Sequence, residues 1–196
     1  MSAIENLGQL ICHDRDPSKI AVIDLGGEGG PREFSYAALD AMANGVARAL
    51  QRDGFERGDR IAILSANRAE YIAAYFGIMR AGLVAVPVNF KFPAKTIEFV
   101  VGDADAKLVF CDPERRADCP LGLPIVCFGD PATEGFDQFL DPGPFAEVTP
   151  ATNEPAMFLY TSGSTGILKA SCYPIRAIFG SWRRGSPAPI SRVTAI

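Results

Sequence analysis

The sequence has few of the features that mark membrane, secreted or nucleic-acid-binding proteins. Its 196 residues include 19 Lys or Arg and 23 Asp or Glu, so the net charge is −4, and no basic cluster offers a surface for nucleic acid. No stretch reaches the ~18 apolar residues that span a bilayer, and the start of the chain lacks the basic and apolar regions of a signal peptide. We therefore expect a cytoplasmic protein without a membrane span or a nucleic-acid partner.

Histidine and closely spaced cysteines are also scarce. The chain has five cysteines, an odd number, without a Cys-x-x-Cys pair, and His13 is its one histidine. Zinc sites and disulfide frameworks depend on such pairs. We therefore predict that there is no metal site, that the cysteines are reduced and act as small apolar residues, and that His13 has no catalytic role.

Short apolar stretches alternate with amphipathic ones, which is typical of an α/β protein. The alternation predicts a mostly parallel sheet with flanking helices. Extended stretches are predicted at 21–25, 32–36, 60–64, 83–88, 107–110, 124–128 and 156–160. Helices are predicted from an N-cap at Ser35 to Gly54, over 68–80 and 93–101, and briefly at 136–140. The glycine-rich stretch 26–30 indicates a hairpin turn rather than a phosphate loop, because no helix follows it closely.

A loop rich in hydroxyl groups and glycine follows the last predicted strand. Glycine lets the backbone approach an anion closely, hydroxyl groups add donors that can rotate, and lysine adds a mobile positive charge. The pattern therefore suits a polyphosphate, although it is not a Walker A loop, in which lysine directly follows glycine. An ordinary flexible turn is the alternative. The candidate residues are Thr161, Ser162, Gly163, Ser164, Thr165, Gly166 and Lys169.

Together with its preceding strand, this loop resembles a known phosphate-binding motif. The string "YTSGSTGILK" at 160–169 is similar to the motif of the AMP-forming adenylating superfamily, and "FSYAALDAMANGVARALQRDGFERGDRIAILSANRAEYIAAYFGIMRAGLVAVPVN" at 34–89 resembles that family's opening segment. Within the superfamily, "VPVNFKF" at 86–92 and "IEFVVGDADAKLVF" at 97–110 look more like acyl-CoA synthetases than peptide-synthetase domains. The resemblance covers residues 21–169.

The resemblance implies a function that needs more chain than is present here. Family members activate a carboxylic acid with Mg-ATP and transfer the acyl group to coenzyme A, and the candidate loop residues would hold the β- and γ-phosphates. The family's remaining motifs, including the catalytic lysine, would follow Lys169. We therefore expect residues 1–169 to be the N-terminal part of an acyl-CoA synthetase, without catalytic residues and inactive alone. The alternative is a catalytically inert nucleotide-binding or interaction fragment.

The tail, residues 170–196, departs from the family pattern. Leu168 replaces a common proline, Ala170 replaces a very common glycine, and the tail carries four arginines without an acidic residue. If residues 170–175 are back-translated and one guanine is restored before them, the other frame can read Gly-Val-Val-Leu-Ser-His, which is similar to the sequence that the family places after its loop lysine. We therefore predict a frameshifted, poorly ordered tail. An authentic divergent end is the alternative.

Overall fold

The computed structural model describes residues 6–10, 16–25, 30–129, 135–151, 153–162, 168–174 and 191–193. Two 3₁₀ helices cover Leu7–Leu10 and Pro113–Asp118. The α-helices are α1 Tyr36–Arg52, α2 Ala69–Arg80, α3 Ala94–Asp103 and α4 Phe136–Phe139. The strands are β1 Ile20–Asp24, β2 Arg32–Ser35, β3 Arg60–Leu64, β4 Val84–Val88, β5 Ala106–Cys111, β6 Ile125–Cys127, β7 Pro155–Ser162, β8 Leu168–Pro174 and β9 Ser191–Val193.

The larger of two sheets has the strand order β6-β5-β3-β4-β7-β8-β9. The pairs from β6 to β7 are parallel, whereas β8 and β9 add to the sheet antiparallel. Helices connect β3 to β4 and β4 to β5, as parallel neighbours require. The smaller sheet is the antiparallel hairpin β1-β2. The α/β class with a mostly parallel sheet is therefore confirmed.

The boundaries of α1 follow directly from its sequence. Ser35 is extended, and its side chain accepts a hydrogen bond from the backbone N–H of Ala38 at 3.1 Å, which satisfies one of the free donors of the first turn. Gly54, just beyond the helix, has φ +83°, a conformation that glycine adopts without steric cost. The predicted N-cap and stop signal are both confirmed.

The apolar residues of the sheet pack on both of its faces. On one face Ile61 and Ile63 join residues of α1 and α2 in one buried cluster, and on the other Ala62 and Leu64 join residues of α3 in a second. Successive side chains of a strand point to opposite faces, so a continuous apolar stretch such as 61–64 serves both clusters. The sheet is thus the middle layer of three.

Some features were not predicted from sequence. The strand β8 covers residues for which no strand was predicted, the end of the loop and the start of the tail, and Ala170 in it is buried. Both 3₁₀ helices were also missed. Within the part of the chain that the structure describes, no helix is both long and apolar enough to cross a bilayer.

Candidate nucleotide-binding site

The candidate phosphate loop begins at the edge of the sheet where the parallel strands end. Ala85 of β4 pairs with Met157 of β7, and the two strands run in the same direction. Four residues further along, Asn89 and Thr161 therefore reach the same edge. Ligands of α/β proteins bind at this carboxyl edge, because the loops that leave neighbouring strands there form a crevice.

The two ends of the loop are held together by a β-hairpin. In the antiparallel pair β7-β8, Thr161 is the partner of Lys169 and Ser162 is the partner of Leu168. The pairing brings the backbone of the predicted lysine next to the first predicted hydroxyl residue, and the side chain of Thr161 is exposed. The other predicted residues, Gly163, Ser164, Thr165 and Gly166, lie outside the described residues.

A buried tyrosine fixes the strand just before the loop. The Tyr160 hydroxyl donates a hydrogen bond of 2.7 Å to the Asp103 carboxylate at the end of α3. Burial and this bond to a carboxylate both raise the pKa of Tyr160, so the phenol stays protonated and keeps donating. Sequence reasoning missed this contact, because the two residues are 57 positions apart and no local pattern connects them.

A second polar cluster lies at the same edge, where β3 and β5 end. The Asp112 carboxylate accepts hydrogen bonds from the Ser65 hydroxyl at 2.9 Å, the Ala66 N–H at 2.7 Å and the Arg68 guanidinium at 3.0 Å. The guanidinium of Arg68 also lies 5.5 Å from the ring centre of Phe128. The carboxylate already accepts hydrogen bonds from three donors. We therefore interpret the cluster as a structural contact that holds the ends of β3 and β5 together, and not as a ligand site.

The same network continues into α2 and the hairpin. Glu70 accepts hydrogen bonds from Arg32 at 2.7 and 3.1 Å and from Arg68 at 2.9 Å, and Arg32 also pairs with Asp24 at 2.5 Å. Burial opposes ionisation of Glu70, but the two guanidinium groups outweigh it and lower its pKa to about 2. The ionised Glu70 therefore fastens the β1-β2 hairpin to α2.

Ionisation of Glu70 makes the stability of the fold depend on pH. The pKa of Glu70 falls from 4.5 to about 2 on folding, so its contribution is complete above pH 4.5 and is lost as the pH falls toward 2. We expect the network to account for about 3 kcal/mol of the fall in unfolding free energy across that range. Urea unfolding at several pH values measures this dependence. The free energy of unfolding of Glu70→Gln should change less with pH than that of the parent, whereas Glu98→Gln, at an exposed position, should follow the parent. Parallel curves for Glu70→Gln and the parent would contradict this prediction.

The described residues hold no grouping of three or more His, Cys, Asp or Glu suited to a metal ion. Their four cysteines, Cys111, Cys119, Cys127 and Cys172, are free thiols. The predictions on Cys12 and His13 fall on residues outside this part of the chain.

Comparison with known proteins identifies the family of this chain. A family model described as "AMP-binding enzyme" matches residues 12–185. The chain belongs to this AMP-binding family. Its relatives include the 3-hydroxybenzoate–CoA ligase of Aromatoleum sp. (strain CIB), which is 33% identical over 156 residues, or 72% of this chain and 29% of the relative. The human long-chain fatty acid transport protein 1 is 30% identical over 176 residues, covering 80% of this chain and 27% of the relative.

Solved structures of similar proteins agree with the fold. ATP-bound MatB from Rhodopseudomonas palustris is 27% identical with a TM-score of 0.72, over 91% of this chain and 36% of MatB. The anthranilate CoA ligase AuaEII, solved with anthranoyl-AMP, has a TM-score of 0.76 at 22% identity, over 91% of this chain and 36% of that one. The chain therefore spans about a third of the length of these four proteins. The predicted membership of the adenylating superfamily is confirmed.

Proposed function

We propose that this chain is the phosphate-binding part of an ATP-dependent acyl- or aryl-CoA ligase, and that adenylation needs further polypeptide. The observation that carries the proposal is the β7-β8 hairpin, whose register places Thr161 opposite Lys169 at the carboxyl edge of the sheet. The membership of the AMP-binding family and the ATP-bound relative of the same fold support the use of ATP.

The hairpin suits a role in positioning phosphates. Glycines and hydroxyl residues between two paired strand ends would offer N–H and O–H donors to the β- and γ-phosphates, and Lys169 would add a positive charge. The bond between Tyr160 and Asp103 would keep the start of the loop in place while a nucleotide binds. Mg²⁺ would arrive with ATP, because it is commonly held by phosphates together with few protein ligands.

The other reactants are proposals that rest on the family. A small carboxylic acid would be the substrate, and coenzyme A the acceptor of the acyl group. Binding of these two molecules and the catalytic step would fall to further polypeptide. The relatives are about three times as long as this chain. A cytoplasmic location and the lack of a nucleic-acid partner stay predictions.

An exchange assay tests the proposal. Incorporation of labelled pyrophosphate into ATP would be measured for the chain alone and for the chain mixed with the separately expressed remainder of a CoA ligase relative. We expect exchange only in the mixture, and Lys169→Ala should lower it by about 100-fold, since a charge aimed at the phosphates is lost. Lys107→Ala, which removes an exposed lysine paired with Asp105 at 2.8 Å, should leave exchange unchanged.

Two results would overturn the proposal. Exchange by the chain alone would show that no further polypeptide is needed. A mixture that binds ATP but never exchanges pyrophosphate, with several relatives as donors of the remainder, would favour the inert nucleotide-binding or interaction fragment.

The frameshifted, poorly ordered tail at 170–196 stays a prediction, and its first residues, 170–174, belong to β8 and pair with β7. An authentic divergent end is still the alternative. Sequencing the coding DNA distinguishes the two origins, because a shifted frame requires the family's later motifs to follow in the other frame.

A further inference from the structure

Two buried cysteines face each other across the parallel strands β5 and β6. Cys111 and Cys127 are Cα partners, and each is the last residue of its strand. Their sulfur atoms lie 3.6 Å apart, and both side chains belong to the buried cluster on the α3 face of the sheet. The proposed function uses neither thiol.

The spacing of the two strands suits a covalent bond between these residues. Directly paired residues of neighbouring strands lie about 4.8 Å apart and point to the same face of the sheet. The Cα atoms of a disulfide are usually about 4.4 to 6.8 Å apart, so the backbone of β5 and β6 needs no rearrangement. The sulfur atoms, now 3.6 Å apart, would approach by about 1.5 Å to form a bond of about 2.05 Å.

An arginine lies over one of the two sulfur atoms. Arg116, an exposed residue of the 3₁₀ helix Pro113–Asp118, donates a hydrogen bond of 3.1 Å from its guanidinium to the Cys127 sulfur. The positive charge can stabilise negative charge on this sulfur when it reacts as a nucleophile. Cys127 is 0% exposed, but because Arg116 is exposed, the sulfur lies one side chain below the surface. A small oxidant can reach it when that side chain moves.

We propose that Cys111 and Cys127 form a peroxide-sensitive pair that closes to a disulfide. In the first step the Cys127 sulfur attacks hydrogen peroxide, an S–O bond replaces the O–O bond, and the released hydroxide takes up the thiol proton as water, which leaves a sulfenic acid. In the second step the Cys111 sulfur attacks the Cys127 sulfur, an S–S bond replaces the S–O bond, and the Cys111 thiol proton leaves with the hydroxyl group as water. Peroxide is reduced, and the two sulfur atoms are oxidised.

The disulfide would fasten two strand ends at the carboxyl edge of the sheet. Asp112 and Phe128 directly follow the two cysteines, and the guanidinium of Arg68 lies 3.0 Å from the Asp112 carboxylate and 5.5 Å from the ring centre of Phe128. The pair β5-β6 has three partner positions, and the cysteines occupy the last of them. Oxidation should therefore stabilise the end of this short ladder, next to Arg68, and leave the fold intact.

The experiment uses the full 196-residue chain with all of its cysteines. The folded protein is treated with hydrogen peroxide, the remaining thiols are alkylated, and peptides are mapped by mass spectrometry. We expect a Cys111–Cys127 peptide pair that a reductant reverses, and a higher urea midpoint for the oxidised chain than for the reduced one. Cys111→Ala should abolish the pair and leave a dimedone adduct at Cys127, whereas the matched Cys119→Ala should keep the pair.

Arg116→Gln tests the role of the charge at an exposed position. It should slow formation of the pair at least about threefold, while Arg52→Gln, at an exposed position of α1, should form the pair at the parent's rate.

Unfolding in urea tests whether the fold selects the pair. In the unfolded chain, pairs with Cys119 should predominate, because Cys111 and Cys127 are 16 positions apart and a shorter loop closes more readily. Any of four results would overturn the proposal: a folded chain without the Cys111–Cys127 pair or with a Cys111–Cys119 pair in its place, a lower urea midpoint after oxidation, an unchanged rate for Arg116→Gln, or a preference for Cys111–Cys127 that persists in urea.

Discussion

Replacing Gly77 with alanine is expected to lower the free energy of unfolding by at least about 3 kcal/mol. Gly77 lies in α2 where that helix crosses α1. A methyl group there would lie 2.6 Å from the Ala43 carbonyl oxygen and 2.6 Å from the Val46 Cβ. Alanine is the better helix former by about 1 kcal/mol, but this gain is smaller than the cost of moving two packed helices apart.

Gly102 provides the matched control. It also lies in a helix, α3, but an added methyl group would meet no atom within 4 Å. Gly102→Ala should therefore leave stability unchanged or raise it by up to about 1 kcal/mol. Urea unfolding followed by circular dichroism measures both variants. If Gly77→Ala were as stable as Gly102→Ala, the close approach of α1 and α2 would be wrong.

The features that could be predicted from the sequence are those determined by residues close together in the chain. The N-cap at Ser35 is recognisable because a hydroxyl residue precedes an apolar pattern of helical period. The order of strands and helices from β3 to β6 follows from the same periodicity. Apolar stretches such as 61–64 also suggest strands buried on both faces, and the structure confirms this.

Contacts between distant residues could not be predicted in this way. Glu70 and Arg80 are charged, so the periodicity assigns them to the surface, yet both are buried through partners on other elements. The bond between Tyr160 and Asp103 likewise depends on the packing of β7 against α3. The residue types of the candidate loop could be recognised in the sequence. The pairing of Thr161 with Lys169 could not, because it depends on β8, a strand whose sequence has no recognisable pattern.

Arg80, the last residue of α2, shows how strongly one such contact can support the fold. Its side chain is 0% exposed, and it donates to the carboxylate of Asp40 at 2.7 Å, the side-chain oxygen of Asn44 at 2.6 Å and the backbone carbonyl of Gly8 at 3.1 Å. One guanidinium thus joins α2 to α1 and to the 3₁₀ helix Leu7–Leu10. A lysine could reach only part of this set, because it lacks the planar fork of donors.

Arg80→Met is therefore expected to lower the free energy of unfolding by about 3 to 5 kcal/mol, because the oxygen atoms of Asp40, Asn44 and Gly8 lose a shared donor. Arg80→Lys should lose about half as much, since it keeps the charge but not the geometry. Arg52→Ala is the control: Arg52 is 49% exposed and pairs with Asp53, so its loss should stay within about 1 kcal/mol. In a double-mutant cycle of Arg80→Met with Asp40→Asn, we expect a coupling energy above about 1 kcal/mol. Additive effects in that cycle, or an Arg80→Met variant as stable as Arg52→Ala, would mean that apolar packing and not this ion pair holds the end of α2 to α1.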